Sequence, residues 1–180
     1  MKPGTSMKLV SCWGLDPIVV SNGCGSSLCS DPEEDEPTGK TLWDATQVLY
    51  NIIAAPETDN PCSVTAQRVI ELGAGTGALG VGMVRAGAVE VVCTDLPCHL
   101  GRIQGTAKAN GAEYSVEVDV LRWGGDVSHL NPPFDVIVMS EVLYWPALDL
   151  LQEDTLEPLA TTLVDLSRCG TRVMLAYKER

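Results

Sequence analysis

The sequence is short of positive charge. It contains 12 Lys and Arg residues against 24 Asp and Glu residues, which gives a net charge of −12. Proteins that bind nucleic acid neutralise phosphates with clustered Lys and Arg, so this balance argues against an RNA or DNA partner. A basic protein surface is the better expectation for what this acidic chain contacts.

Two further features are missing. No apolar run reaches the roughly 18 residues of a membrane-spanning helix, and no segment at the start has the apolar core of a signal peptide. The seven cysteines include no C-x-x-C pair, so reduced thiols in the cytosol are the simplest interpretation, without membrane attachment. Cys12, Cys24 and Cys29 lack a fourth partner at ligand spacing, and no metal site is predicted.

The composition divides the chain into two regions. Residues 1–39 contain a Gly-, Ser- and Cys-rich stretch and an acidic, proline-flanked run, which predict a short strand or hairpin over 7–20 followed by a solvated loop. Residues 40–180 are predicted to form one ordered domain, because the chain is 45% hydrophobic and long enough to bury a core.

Strand and helix patterns alternate along this second region. The expected fold class is α/β, a doubly wound Rossmann-like sheet with helices on both faces and a ligand crevice at the carboxyl ends of its central strands. The first helix is expected to begin with Thr41 and Asp44 as a capping pair. Its apolar residues recur at helical spacing and are Trp43, Val48, Leu49, Ile52 and Ile53. A strand over 172–177 so near the chain end predicts that the final strands of such a sheet are missing. The remaining predicted strands cover 68–72, 89–94, 114–120 and 134–139, and the remaining helices 78–86, 100–110 and 147–166.

The run from Glu71 to Gly77, together with Asp95, is the most informative pattern. Three glycines alternate directly after an apolar strand, and a second apolar strand ends at Asp95. In such a unit the glycines let the backbone approach a nucleoside, and the acid accepts hydrogen bonds from ribose hydroxyls.

The spacing of this motif favours one class of nucleoside. A dinucleotide fingerprint reads G-x-G-x-x-G, whereas this sequence reads E-x-G-x-G-x-G. Glu71 would repel a pyrophosphate and suits a cationic ligand, which predicts S-adenosylmethionine as cofactor. Gly73, Ala74 and Gly75 would contact its methionine part and Asp95 its ribose. A different Rossmann nucleotide such as NAD stays open as the weaker alternative.

Two later strand ends carry candidate residues. Trp123 follows the third strand, where it can stack on the adenine, or pack in the core. Glu141 and Tyr144 follow the fourth strand, and the two could share one face if a helical turn starts there. Glu141 would orient an incoming ammonium and Tyr144 would aim its lone pair at the methyl group. The alternative is a solvated Glu and a Tyr packed in the core.

Taken together, these motifs resemble the seven-strand protein-lysine methyltransferases of the methyltransferase-like 21 group, over roughly residues 38–180. The resemblance implies protein-lysine N-methylation from S-adenosylmethionine, with an AAA ATPase, a translation elongation factor or a heat-shock chaperone as substrate. The segments that carry it are Thr41-Leu42-Trp43-Asp44-Ala45, the strand and glycines of 69–77, Thr94-Asp95-Leu96-Pro97, Leu121-Arg122-Trp123 and Glu141-Val142-Leu143-Tyr144.

By that resemblance, the residues that line the cofactor pocket would be Trp43, Gly73, Ala74, Gly75, Asp95, Trp123 and Ser140. One departure matters for the acceptor side, because the family's D-x-x-Y motif reads Glu141-Val142-Leu143-Tyr144 here. Glu is one methylene longer than Asp, so the carboxylate is displaced. Two alternatives to the lysine methyltransferase stay open: a degenerate protein that binds the cofactor without catalysis, and a methyltransferase that acts on a small molecule.

Overall fold

The computed structural model describes residues 7–10, 12, 14–21, 41–143 and 156–178. Its elements alternate as the sequence predicts. The strands are β1 Lys8–Leu9, β2 Ile18–Val19, β3 Arg68–Leu72, β4 Glu90–Asp95, β5 Val116–Val120, β6 Val136–Ser140 and β7 Arg172–Ala176. The helices are α1 Asp44–Ile53, α2 Ala78–Arg85, α3 Pro97–Ala109 and α4 Leu156–Leu166, with a 3₁₀ turn over Ser128–Leu130.

Within the described residues, β3 to β7 form one parallel five-stranded sheet in the order β5-β4-β3-β6-β7. The chain runs outward from β3 to β5 and then returns to the other side of β3 with β6. A parallel sheet brings the carboxyl ends of all its strands to one edge, and a reversal of strand order opens a crevice there. The ends of β3, β4 and β6 therefore meet where a ligand binds in this class of fold.

The sheet is buried on both faces, as its apolar runs predict. Alternate residues of β3 enter opposite cores, because successive side chains on a strand point to opposite faces. Val69 packs with α1, α2 and α3, whereas Ile70 and Leu72 pack with α4 and the segment after β5. The doubly wound α/β class is confirmed.

The predicted hairpin near the start of the chain is confirmed in short form. Strands β1 and β2 pair antiparallel, with Leu9 opposite Ile18. Two side chains bind the hairpin through hydrogen bonds. Gln47 of α1 accepts one from the Val10 amide, and Asn110, just after α3, accepts one from the Val19 amide. The hairpin thus packs against the same core as the sheet.

Helix α1 corrects two predictions. Its N-cap position is Trp43, no side chain caps it, and Asp44 is its first residue, so the Thr41–Asp44 capping pair is wrong. Val48 and Ile52 are 56% and 46% exposed, so the apolar spacing of this helix overstates its buried face. The predicted helix over 147–166 is described only as α4, because residues 144–155 lie outside the described part of the chain.

Candidate functional site

The glycine turn between β3 and α2 lies at the carboxyl end of β3, at the sheet edge where a ligand binds in this class of fold. Gly73, Gly75 and Gly77 have φ angles of +67°, +51° and +72°, a left-handed backbone that glycine adopts without steric cost. Gly77 is also required for packing, since a Cβ there would lie 2.9 Å from the Ile103 Cα of α3. The Ala74 amide donates to the Thr94 carbonyl at 3.0 Å, which fixes the turn against the end of β4.

Asp95, at the end of β4, is bonded to this turn. Its Oδ2 accepts the Gly75 amide at 2.6 Å, and its Oδ1 accepts the Leu96 amide at 2.7 Å. Burial raises the pKa of Asp95, while the neighbouring His99 and the two backbone amides act in the opposite direction. A carboxylate oxygen can accept two hydrogen bonds, so each oxygen retains capacity for a ligand hydroxyl. The structure places Asp95 beside the glycines as predicted.

Glu71 does not face the crevice. Its side chain lies beneath α2, 3% exposed, where its Oε2 accepts a hydrogen bond from the Cys93 thiol at 3.5 Å. The pKa of Glu71 is raised to about 8, chiefly by burial and also by the nearby Asp95, while contacts with Cys93 and the Gly80 amide act in the opposite direction. A mostly protonated, enclosed carboxyl does not attract a cationic ligand, so the interpretation of Glu71 as a ligand-facing charge is wrong.

Two side chains close the turn from above, and the sequence analysis gave a role only to Trp123. A Cβ on Gly73 would lie 3.0 Å from Val142 Cγ1 and 3.7 Å from Trp123 Cζ2. Trp123 is half-buried and packs at the margin of the core that contains Val142. The loop after β5 and the end of β6 therefore converge on Gly73, which places Trp123 next to the glycine turn as expected.

The end of β6 is held by its neighbours on both sides. The Ser140 hydroxyl lies 2.8 Å from the Thr46 hydroxyl of α1. The Glu141 amide donates to the Ala176 carbonyl of β7 at 2.9 Å, and Glu141 itself has a left-handed φ of +57°. No helical turn starts over 141–143. Tyr144, the second predicted catalytic residue, lies outside the described residues.

Glu141 and Trp43 line a cleft of about 280 Å³ between the start of α1 and the ends of β6 and β7. Lys178, two residues beyond β7, also lines this cleft, and its ammonium donates to Asp44 Oδ2 at 2.8 Å. The full lining is Thr41, Leu42, Trp43, Asp44, Glu141 and Lys178. The structure thus places Trp43 and Glu141 together in a cleft whose lining also includes the Lys178–Asp44 ion pair.

Comparisons with known proteins agree with this architecture. The family model described as lysine methyltransferase matches residues 26–180.

The chain belongs to the lysine methyltransferase family.

Two relatives of this family illustrate the degree of similarity. EEF1A lysine methyltransferase 3 of Xenopus tropicalis is 31% identical over 140 residues, and protein N-lysine methyltransferase METTL21A of Danio rerio is 32% identical over 144. Each alignment covers 77% of this chain but only 57% and 60% of the relative. The chain therefore spans less than two thirds of these relatives' length. The predicted resemblance to the methyltransferase-like 21 group is confirmed.

Solved structures support the fold alone. A ribosomal protein L11 methylase from Lactobacillus delbrueckii subsp. bulgaricus matches with a TM-score of 0.55 and 19% identity, over 75% of this chain and 60% of that one. A Trypanosoma brucei PRMT1 enzyme-prozyme complex with AdoHcy matches with a TM-score of 0.55 and 20% identity, over 72% and 38%. Both are named as methyltransferases, in keeping with the Rossmann-like sheet.

The sequence analysis did not identify three residues of the candidate site as functional. Asp44 was predicted only as a helix cap, and Thr46 and Lys178 were not predicted at all. Lys178 had a usable signal, because a residue just beyond a parallel strand lies at the same sheet edge as the other strand ends. Asp44 lies in the Thr41–Ala45 segment of the family resemblance, without a role of its own, and no local motif marks Thr46.

Among the described residues, no three His, Cys, Asp or Glu side chains are grouped so as to hold a metal ion. Each helix in that part of the chain is too short or too polar to span a bilayer.

Proposed function

We propose that this chain is a protein-lysine N-methyltransferase that uses S-adenosylmethionine as methyl donor. The observation that carries the proposal is the arrangement along one sheet edge. A glycine turn bonded to Asp95 lies on one side of Val142, and a cleft with two carboxylates lies on the other. Family membership supports the reaction type, and the AdoHcy complex of the PRMT1 neighbour supports the donor.

The residues of the turn fit a nucleoside donor. Asp95 is half-buried, and each of its two oxygens accepts a hydrogen bond from one backbone amide. These bonds orient the carboxylate, and it can still accept hydrogen bonds from ribose hydroxyls. Gly73, Ala74 and Gly75 present backbone without bulk, and Trp123 adds an aromatic wall. When bound, S-adenosylmethionine supplies an electrophilic methyl group on a sulfonium. We assign Trp43 and Ser140 to the rim of this pocket.

The acceptor side must handle a charged amine. A lysine has a reference pKa near 10.4, so removing its proton at neutral pH costs on the order of 4–5 kcal/mol. A carboxylate holds the ammonium and orients it, but it also favours the protonated form. We therefore assign positioning to Glu141, and to Tyr144 the orientation of the amine once its proton has left to solvent.

We further propose a protein substrate with a basic surface in the cytoplasm. The net charge of −12 favours such a partner over a nucleic acid. One relative's name specifies EEF1A, a translation elongation factor. An AAA ATPase and a heat-shock chaperone are the other candidate substrates by family resemblance.

The test has two stages. Calorimetry with S-adenosylmethionine should show binding that Asp95→Asn weakens by roughly 1–3 kcal/mol, because charge-assisted hydrogen bonds to the ribose are lost. Asp59→Asn, an exposed acid outside the site, is the charge-matched control. Cell lysate with radiolabelled donor should then show labelled protein, and Glu141→Gln should reduce the labelling while leaving donor affinity unchanged.

Each outcome separates the alternatives. Donor binding without any labelled protein would support a degenerate binder, and label confined to small molecules would support a different acceptor class. A folded chain that binds no donor would contradict the proposal. Equal affinity in Asp95→Asn and Asp59→Asn would remove Asp95 from the donor site.

A further inference from the structure

The cleft between α1, β6 and β7 is lined in part by a lysine of the chain itself. Lys178 reaches back from the end of β7, and its Nζ donates to Asp44 Oδ2 at 2.8 Å. Glu141 and Trp43 line the same cleft. The lining of the cleft therefore includes a lysine paired with one carboxylate, a second carboxylate and an indole. Carboxylates and indoles are groups that recognise alkylammonium ions in proteins.

The cleft adjoins the glycine turn through a single peptide unit. Glu141 lines the cleft, and the next residue, Val142, packs against the Gly73 backbone of the turn. The hydroxyl pair of Thr46 and Ser140 holds α1, and with it Asp44, at the end of β6. An ammonium beside Asp44 therefore lies on the acceptor side of the proposed donor site.

We propose that Asp44 is a recognition residue for the substrate lysine, and that Lys178 occupies its place until a substrate lysine displaces it. This inference rests on the proposed function, since it assigns the acceptor end of the same site. Asp44 is a specificity-determining residue that contacts the substrate ammonium, and Lys178 acts as an internal competitor.

The ion pair is suited to exchange. The Asp44 and Lys178 side chains are 81% and 60% exposed, and ion pairs between exposed groups are weak. The ion pair can still be measured through the pKa of Asp44, because the hydrogen bond and charge of Lys178 hold that pKa below its ordinary value. An incoming lysine that brings its own backbone and neighbouring contacts would replace Lys178 at little cost.

The first experiment follows the Asp44 carboxyl carbon by NMR in the parent chain, in Lys178→Gln and in Lys108→Gln. Lys108 lies exposed on α3 and provides the same change of charge outside the cleft. The pKa of Asp44 should rise in Lys178→Gln only. Nα-acetyl-lysine methylamide should then bind Lys178→Gln about two- to fivefold more tightly than the parent chain, the range expected for loss of an exposed pair. Equal probe affinity in the three proteins would overturn the competitor role.

The second experiment addresses Asp44. Asp44→Asn should reduce probe affinity in the Lys178→Gln background by about two- to fivefold, while Asp44→Glu, which keeps the charge, should retain most of it. Asp59→Asn is the matched control. Equal affinity in Asp44→Asn and Asp59→Asn would overturn the recognition role.

Calorimetry of the donor with these same variants distinguishes this inference from the proposed function. Donor affinity should be unchanged in all of them. Normal donor binding with no effect of Asp44 or Lys178 on the probe would contradict only the inference. Absence of donor binding in the parent chain would contradict the proposed function, and the inference with it.

Discussion

The two sides of the sheet edge are built in opposite ways. The glycine turn takes its residues from one short stretch, has three left-handed glycines, and bonds directly to Asp95. The cleft takes Asp44, Glu141 and Lys178 from three distant parts of the sequence, and Asp44 and Lys178 form an exposed ion pair there. A rigid turn suits a cofactor that is the same in every cycle, whereas exchangeable charges suit a variable protein substrate.

The largest expected effect concerns the rigid side. Gly77→Ala should destabilise the fold by about 3 kcal/mol, because the new Cβ needs a left-handed backbone and also lies 2.9 Å from Ile103 Cα. Gly111 has a φ of +66° with no atom within 4 Å of the added Cβ, so Gly111→Ala measures the backbone strain alone, about 1 kcal/mol. Urea unfolding of both variants gives the difference. Equal losses would mean that the turn tolerates bulk and is not closely packed.

The next effect concerns the buried acid beneath α2. Because the pKa of Glu71 is raised to about 8 in the folded chain, folding favours its protonated form. Its contribution to stability is therefore fully present below the ordinary pKa of the group and is lost as pH rises toward 8. Between pH 6 and pH 8 the free energy of unfolding should fall by roughly 2–3 kcal/mol. The carboxylates with lowered pKa, including Asp44 and Asp135, titrate below this window.

Glu71→Gln keeps the shape and removes the titration. Its unfolding free energy should therefore fall less over the same pH range than that of the parent chain, whereas Glu117→Gln, at an exposed position on β5, should retain the parent slope. Urea unfolding at pH 6, 7 and 8 makes the comparison. A parent slope in Glu71→Gln would show that another group controls the pH dependence, and that Glu71 is ionised in the fold.

The smallest effect concerns the connection between the two sides. The Thr46 and Ser140 hydroxyls lie 2.8 Å apart in a partly buried position. Thr46→Val should cost about 1 kcal/mol of stability, and a double-mutant cycle with Ser140→Ala should give a coupling energy of similar size. Additive losses would indicate that the hydroxyls are independent and that α1 is held at β6 by packing alone.

The sequence predicted the glycine side well for a physical reason. Backbone conformation and apolar runs are local properties, so residues 68–95 specify β3, the turn, α2 and β4 almost without reference to the rest of the chain. Asp95 could be placed because a strand end in a parallel sheet has only one location. Glu71 was misassigned because its side chain direction depends on a gap that Gly80 opens beneath α2, and Cys93 fills the same gap.

The cleft side could be predicted only in part. Glu141 was found at a strand end, but its left-handed backbone and its place beside Asp44 result from packing between α1, β6 and β7. Contacts such as that of Asp44 with Lys178 join residues far apart in sequence, and no spacing rule encodes them. The same limitation affected α1, whose apolar periodicity did not distinguish the exposed Val48 from the buried Leu49.

Backbone amide NMR with two ligands tests the division between a donor turn and an acceptor cleft most directly. S-Adenosylhomocysteine should shift the amides of Gly75 and Leu96, and Nα-acetyl-lysine methylamide should shift those of Asp44 and Lys178. Separate sets of shifted amides are the result that this division predicts. If both ligands shifted the same set, or if the nucleoside shifted Asp44 and Lys178 while leaving Gly75 unchanged, the division would be contradicted.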